Sequence, residues 1–243
     1  MYIIKLNAID STNSYLKGLV SVAIQKDYTV VVAEMQTKGR GQMGSEWQTK
    51  NGKNLTASVF KRLSFCDIND QFYISMVVSL SIYKALSAFK IPKLSIKWPN
   101  DILSANTKLC GVLIENVIKS NNLQGSIIGF GLNVNQKIFS NLPQASSMNL
   151  VTGIFFNKDV VLSEILKQLK IYFNLLESKD YGVIKAEYES LLFRLDKPST
   201  FQTLNDENFS GIIKGITETG LLKVWTEDET IKTFDLKEIK LLY

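Results

Sequence analysis

Histidine is absent from this sequence. That removes the Ser-His-Asp triad, the Cys-His pair and every histidine-ligated metal centre, and leaves lysine, arginine, carboxylates, amides and backbone to carry any chemistry. Cysteine is scarce too. Cys66 and Cys110 have neither CxxC spacing nor partnering histidines, so they read as reduced core thiols and not as a zinc site or disulfide framework. Arginine occurs at three positions only, Arg40, Arg62 and Arg194. There is no run of eighteen apolar residues, no internal repeat and no low-complexity tract. The N-terminus MYIIKLNAIDSTN lacks a basic n-region and a small-residue cleavage site. The expectation is a cytoplasmic protein with no membrane span.

What is present suits a globular chain: 243 residues, 45% of them hydrophobic, enough for one large domain or for one large and one small. The net charge of +5 is unevenly divided. Residues 1–195 hold 22 basic and 14 acidic side chains, a net of +8, and residues 196–243 hold 6 and 9, a net of −3. The larger part therefore carries the positive charge, which suits an anionic substrate or nucleic acid but equally a diffuse lysine surface.

YIIKLNAI reads as a strand, and Asp10-Ser11-Thr12 supplies capping oxygens to a short helix through Leu16 and Val20. YTVVVAEM (28–35) is a β-branched buried strand that runs into a loop, Gln36–Gln48, and out through NLTASVF (54–60). The segment from about Asp70 to Phe89 predicts the main helix, with Phe72, Met76, Ser79, Tyr83 and Leu86 at turn spacing. Strands are expected at LSIKW (94–98), KLCGVLIENVI (108–118) and GSIIGFGLNV (125–134), joined by short polar turns, with two helices within 159–177 and 181–194. After Asp196-Lys197-Pro198 the pattern changes to four short strands, TFQTL, FSGIIKGI, LLKVW and TIKTF, which read as a small β-barrel docked on the rest. Two domains follow, 1–195 and 196–243.

Four constellations carry possible chemistry. Lys38-Gly39-Arg40-Gly41-Gln42-Met43-Gly44, with Trp47 beyond, combines glycines that allow close backbone approach to an anion with two cations; an ordinary glycine-rich hairpin is the simpler reading of the glycines alone. In Lys97-Trp98-Pro99-Asn100-Asp101, proline ends a strand and is expected to turn the Asn100 amide and the Asp101 carboxylate out at a sheet edge beside Lys97. That cluster suits phosphate and Mg²⁺, or a plain turn with a surface ion pair. In Lys108-Leu109-Cys110-Gly111-Val112-Leu113-Ile114-Glu115, strand alternation puts Lys108, Cys110 and Val112 on one face, with room for a ligand beside Cys110 and Gly111. Gly129-Phe130-Gly131-Leu132-Asn133-Val134-Asn135 permits close backbone approach and places Asn133 and Asn135 on one face.

In order, Asp10-Ser11-Thr12-Asn13, Gln36 with GRGQMGSEW, KWPND, KLCGVLIE and GFGLNVN resemble the catalytic core of the biotin–protein ligases over about residues 5–135, and the terminal β-barrel resembles that family's C-terminal domain. The resemblance implies an α+β fold: a mixed sheet with packed helices, like a class II synthetase catalytic domain, plus a small C-terminal SH3-like β-barrel. It implies an enzyme that forms biotinyl-5′-AMP from biotin and Mg·ATP and transfers biotin to a lysine of a biotin carboxyl carrier protein. By the same resemblance, Ser11, Thr12, Asn13 and Gln36 match the positions holding the biotin ureido group, and Arg40, Gly41, Gln42, Lys108 and Gly111 the rest of the biotin site. Gly39, Arg40, Trp47, Lys97, Asn100, Asp101 and Asn133 match the ATP side, with Asp101 reaching Mg²⁺. Catalysis is implied for Lys108, Arg40, Lys97 and Asp101.

Ligases of this kind often carry additional arginines where the loop here has Gln42 and Met43. Only ten residues precede Ser11, so the resemblance is to the monofunctional form lacking the N-terminal helix-turn-helix domain, and no sequence-specific DNA binding is expected. An exposed sheet edge leaves homodimerisation open. Two alternatives stand beside this reading: a lipoate- or octanoate-type ligase of the same superfamily, whose usual glycine-rich motif ends in a histidine absent here, and a noncatalytic biotin-responsive binding protein.

Overall fold

The computed structural model describes residues 2–243. The chain opens with β1 (Tyr2–Ile9), after which Ser11, in extended conformation, accepts from the Ser14 N–H and starts α1 (Thr12–Val22). An oxygen at that position satisfies one of the N–H groups that the first helical turn leaves free. The β-branched run of β2 (Thr29–Gln36) follows and pairs parallel with β1, and β3 (Leu55–Arg62) returns antiparallel. Next come α2 (Gln71–Ala88), β4 (Leu94–Lys97), β5 (Asp101–Ser104), β6 (Thr107–Lys119) and β7 (Asn122–Leu132). These strands form one seven-stranded mixed sheet in the order β1-β2-β3-β7-β6-β5-β4.

Three helices follow, α3 (Met148–Thr152), α4 (Lys158–Glu177) and α5 (Tyr181–Ser190). The remaining strands, β8 (Pro198–Thr203), β9 (Asn208–Ile216), β10 (Leu222–Thr226), β11 (Ile231–Phe234) and β12 (Ile239–Leu242), make an antiparallel five-stranded sheet in the order β11-β10-β9-β8-β12. No described helix is long and apolar enough to cross a membrane.

The core explains the layering. Helix α2 is buried on almost every side, from Tyr73 and Ile74 to Ala85 and Leu86, because α4 and α5 pack against it as well as the sheet. A helix reading of one apolar stripe at turn spacing therefore understates it. Phe201, Ile213, Ile216, Leu222 and Val224 of the second sheet belong to the same continuous cluster as α2 and the main sheet. Trp98 Nε1 donates to the Gly220 carbonyl at 2.9 Å, and the Ile216 N–H donates to Glu189 Oε1 at 2.8 Å, which ties the second sheet to β4 and α5.

The structure corrects several expectations. Asp101–Ser104 is a strand and not part of a turn, and β12 adds a fifth strand to the terminal sheet. Asn100 is not turned outward: its side chain is buried and donates to the Val112 carbonyl at 2.9 Å. Asp101 folds straight back into a hairpin against Lys97, so the residue before it is drawn under the sheet edge. Lys108 does not share a face with Cys110. The pairing of β5 with β6 shifts register so that Ile102 faces Cys110 while Leu103 faces Lys108; the extra residue, Leu109, is a bulge that moves Lys108 to the Gly111 side. Cys110 points into the core, where burial pushes its thiol pKa up. Asn135 is likewise buried, holding the Phe156 backbone through its amide (2.8 and 3.0 Å).

Candidate active site

A cavity of about 380 Å³ lies on one face of the large sheet. Its floor follows from strand alternation: Gly111 and Leu113 of β6, Gly129 and Gly131 of β7 and Thr56 of β3 face it, with Asn133 just beyond β7. The glycines are needed for space. A Cβ on Gly129 would stand 2.2 Å from Asn13 Oδ1, and one on Gly131 would stand 2.1 Å from the Trp47 ring.

One end of the cavity is polar and buried. Gln36 Oε1 accepts from the Thr12 N–H (2.8 Å) and hydroxyl (3.0 Å). Ser58 Oγ, from β3, sits 2.7 Å from Thr12 Oγ1 and 2.6 Å from Asn13 Oδ1. Asn13 Nδ2 donates to the Leu113 carbonyl (3.2 Å) and to Glu115 Oε2 (2.9 Å), so both ends of that amide are engaged. The start of α1 is thus fixed to the sheet through side chains, and Ser11, Thr12 and Gln36 present donors and acceptors to the cavity.

The other end is charged. Lys108 Nζ lies 2.7 Å from Asp101 Oδ1 and 5.7 Å from the centre of the Trp47 ring. The loop between β2 and β3 forms a small hairpin: Gly41 N donates to Ser45 O (2.6 Å), Trp47 N donates to Gly39 O (2.9 Å), and the backbones of Arg40 and Glu46 pair antiparallel. Met43 and Gly44 turn it at positive φ (54° and 78°), which glycine adopts freely and Met43 does not. Two side chains tie the hairpin to the sheet, Trp47 lying on Gly111 and Gly131, and Arg40 donating to Glu115 Oε2 at 2.6 Å. The Trp47 indole N–H is buried with no hydrogen-bond partner among the described residues.

Ser11, Thr12, Asn13, Gln36, Arg40, Gly41, Gln42, Trp47, Asp101, Lys108, Gly111 and Asn133 all line this cavity. Gly39, Lys97 and Asn100 do not. Gly39 lies at the base of the hairpin, where a Cβ would stand 2.3 Å from Trp47 O. Lys97 places its ammonium over the Tyr243 ring, 4.6 Å from the centroid. Burial lowers its pKa below the ordinary lysine value against the attraction of Asp101, with Lys108 and Lys240 adding repulsion. Residues not anticipated from the sequence include Ser58, Thr56 and Glu115. Ser58 and Thr56 alternate along β3 on the cavity face and were legible in principle from that period; Glu115, a charged residue in a long strand, looks like a solvent-facing position until α1 and the loop fold over it.

Sequence comparison supplies the family. The chain belongs to the biotin/lipoate A/B protein ligase family, whose sequence model matches residues 6–133. It is 28% identical over 238 residues to the bifunctional ligase/repressor BirA of Escherichia coli, an alignment spanning 97% of this chain and 73% of that protein. It is 27% identical over 216 residues to the biotin–[acetyl-CoA-carboxylase] ligase of Mycobacterium tuberculosis, covering 87% of this chain and 79% of the other. Among solved structures, the biotin protein ligase from Aquifex aeolicus in complex with biotin and ATP superposes with a TM-score of 0.82 at 28% identity, over 99% of this chain and 98% of that one.

Proposed function

We propose that this chain is a biotin–protein ligase that forms biotinyl-5′-AMP from biotin and Mg·ATP and passes the biotinyl group to a lysine of a biotin carboxyl carrier protein. The observation that carries the reading is a cavity over a glycine floor that joins a hydrogen-bonding cluster of Ser11, Thr12 and Gln36 to two cations, Lys108 and Arg40, each held in place by a carboxylate. A cyclic urea needs donors and acceptors without charge, which Ser11, Thr12 and Gln36 offer directly and Asn13 supports by holding α1 in place. A carboxylate and a triphosphate need fixed cations, which Lys108 and Arg40 supply. Gly41, Gln42 and Gly111 flank the acyl chain between them.

In the first half-reaction the biotin carboxylate attacks the α-phosphorus, a bond to oxygen forms, and pyrophosphate leaves with the broken P–O bond. Two anions approach each other, and Lys108 offsets that repulsion at the reacting atoms. Arg40 holds the acyl-phosphate from the loop. Trp47 and Asn133 bind the adenosine side. Asp101, whose Oδ1 is paired with Lys108, would contribute a single carboxylate ligand to a Mg²⁺ carried in on the nucleotide, the phosphate oxygens and water supplying the rest. Lys97, Gly39 and Asn100 act from behind the cavity wall, Lys97 by charge toward the polyphosphate, Gly39 by closing the hairpin and Asn100 by fixing β6. In the second half-reaction the acceptor amine, in its neutral form, attacks the mixed anhydride and AMP leaves.

Residues 1–195 form the catalytic domain in this reading and residues 196–243 an SH3-like barrel. The site of action is the cytoplasm, where ATP is supplied, with homodimerisation through a sheet edge. The test is exchange of labelled pyrophosphate into ATP by the purified chain. Biotin-dependent exchange is expected, and exchange supported by lipoate or octanoate but not by biotin would overturn the assignment.

A further inference from the structure

Strand β6 carries a carboxylate that none of these roles uses. Glu115 follows Gly111 and Leu113 along the cavity face of the strand and receives donors from two other elements. Its Oε2 accepts from Asn13 Nδ2 at 2.9 Å and from the Arg40 guanidinium at 2.6 Å, and Lys17 Nζ lies 3.5 Å from Oε1. One oxygen thus joins the first turn of α1, which organises the polar end of the cavity, to the loop that carries Arg40. Through Asn13 the connection continues to Ser58, Thr12 and Gln36.

An exposed ion pair between flexible side chains contributes little and fixes nothing. Glu115 differs in three ways. Its side chain is only 20% exposed. It binds a neutral amide as well as two cations. Burial raises its pKa, yet the Asn13 hydrogen bond and the Arg40 and Lys17 charges outweigh that and hold the carboxyl below the ordinary glutamate value. The group stays ionised where its partners need it.

We propose that Glu115 is a positioning residue for adenylate formation, one that sets Arg40 relative to Asn13 and so registers the phosphate-facing loop against the urea-facing helix. The inference rests on the ligase reading. It predicts that Glu115 acts on the reaction through Arg40, which a purely structural glutamate would not do.

The test is a double-mutant cycle on the full chain, read as kcat/KM for biotin in pyrophosphate exchange. Glu115→Gln and Arg40→Ala should each lower it about tenfold, the size expected for losing one charge-assisted hydrogen bond in a positioned site. The double variant should fall within about twofold of the poorer single variant, because both substitutions break one connection. If the two effects multiply to about a hundredfold, or if Glu115→Gln matches the parent, Glu115 is not positioning Arg40. Where the glutamine variant does not fold, Glu115→Asp, which keeps the charge and shortens the reach, takes its place in the same cycle. A parent chain without biotin-dependent exchange would sink the ligase reading and this proposal with it, whereas an active parent with multiplicative effects sinks this proposal alone.

Discussion

Lys108 illustrates how a single inserted residue decides chemistry. Strand alternation alone assigns its side chain to the Cys110 face; the bulge at Leu109 turns it instead toward Gly111, Trp47 and Asp101. The motif was legible in the sequence, but its direction was not, because a bulge depends on how β5 pairs and β5 itself carries too short an apolar run to announce a strand. If Lys108 neutralises charge between carboxylate and α-phosphate, Lys108→Ala should slow adenylate formation by about 10²–10³, the loss typical of one preorganised electrostatic donor, while biotin affinity falls much less. Single-turnover adenylation alongside biotin calorimetry checks this, and equal losses in both would reassign Lys108 to substrate binding.

Glu115 gives a prediction in pH at the same scale. Its carboxyl is held below the ordinary value of 4.5, so the stability it contributes is fully present above that pH and is lost as pH falls through the lower, folded-state pKa. Glu115→Gln should therefore melt below the parent at pH 7, with the gap narrowing as the pH is taken well under 4.5. Melting curves across that range decide it; a gap independent of pH would show that shape, not charge, accounts for the difference.

Among elements, β7 and the loop between β2 and β3 form one unit, since Trp47 rests where Gly131 has no side chain. The pair of glycines in GFGLNVN was readable as close approach, but the approaching group was not, because it comes from a loop more than eighty residues earlier whose fold depends on sheet order. A methyl at Gly131 would meet the indole at 2.1 Å, and the loop is the softer partner. Gly131→Ala should displace Trp47, making its fluorescence more accessible to acrylamide and weakening ATP binding, with little change in melting temperature. Gly129→Ala should act differently, since its methyl would press on Asn13 Oδ1 inside the buried polar network; stability and biotin binding should both fall. Identical behaviour of the two variants would mean that the loop and the start of α1 respond as one body. The elements that periodicity located best were long ones, β2, β6, β7 and α4. The four-residue strands β5 and β12 were missed although β4 and β11, of the same length, were placed: β5 opens on Asp101, which reads as the end of the Pro-Asn-Asp turn, and the IKLL of β12 does not alternate.

At the scale of the molecule, the question is whether the terminal sheet is an appendage or part of the working fold. The change of pattern after Pro198 was visible in the sequence; the extent of docking was not, since contacts between distant segments leave no local period. Phe201 is fully buried, stacks on Phe209 at 5.3 Å and belongs to the cluster that contains α2 and Tyr188. Tyr188 in turn donates to the Pro99 carbonyl at 2.6 Å, two residues from Asp101, and Gln144, beside the cavity-lining Ala145, donates to the Tyr243 carbonyl at 2.6 Å. Loss of packing in the second sheet should thus reach the site through both its walls. Phe201→Ala removes about 3–5 kcal/mol of burial at such a position. The expected result in urea is one transition, shifted to lower concentration, in which far-ultraviolet ellipticity and pyrophosphate exchange are lost together. An early phase that removes only the signal of the small sheet while exchange persists would show instead that the two sheets unfold independently and that the shared core does not couple them.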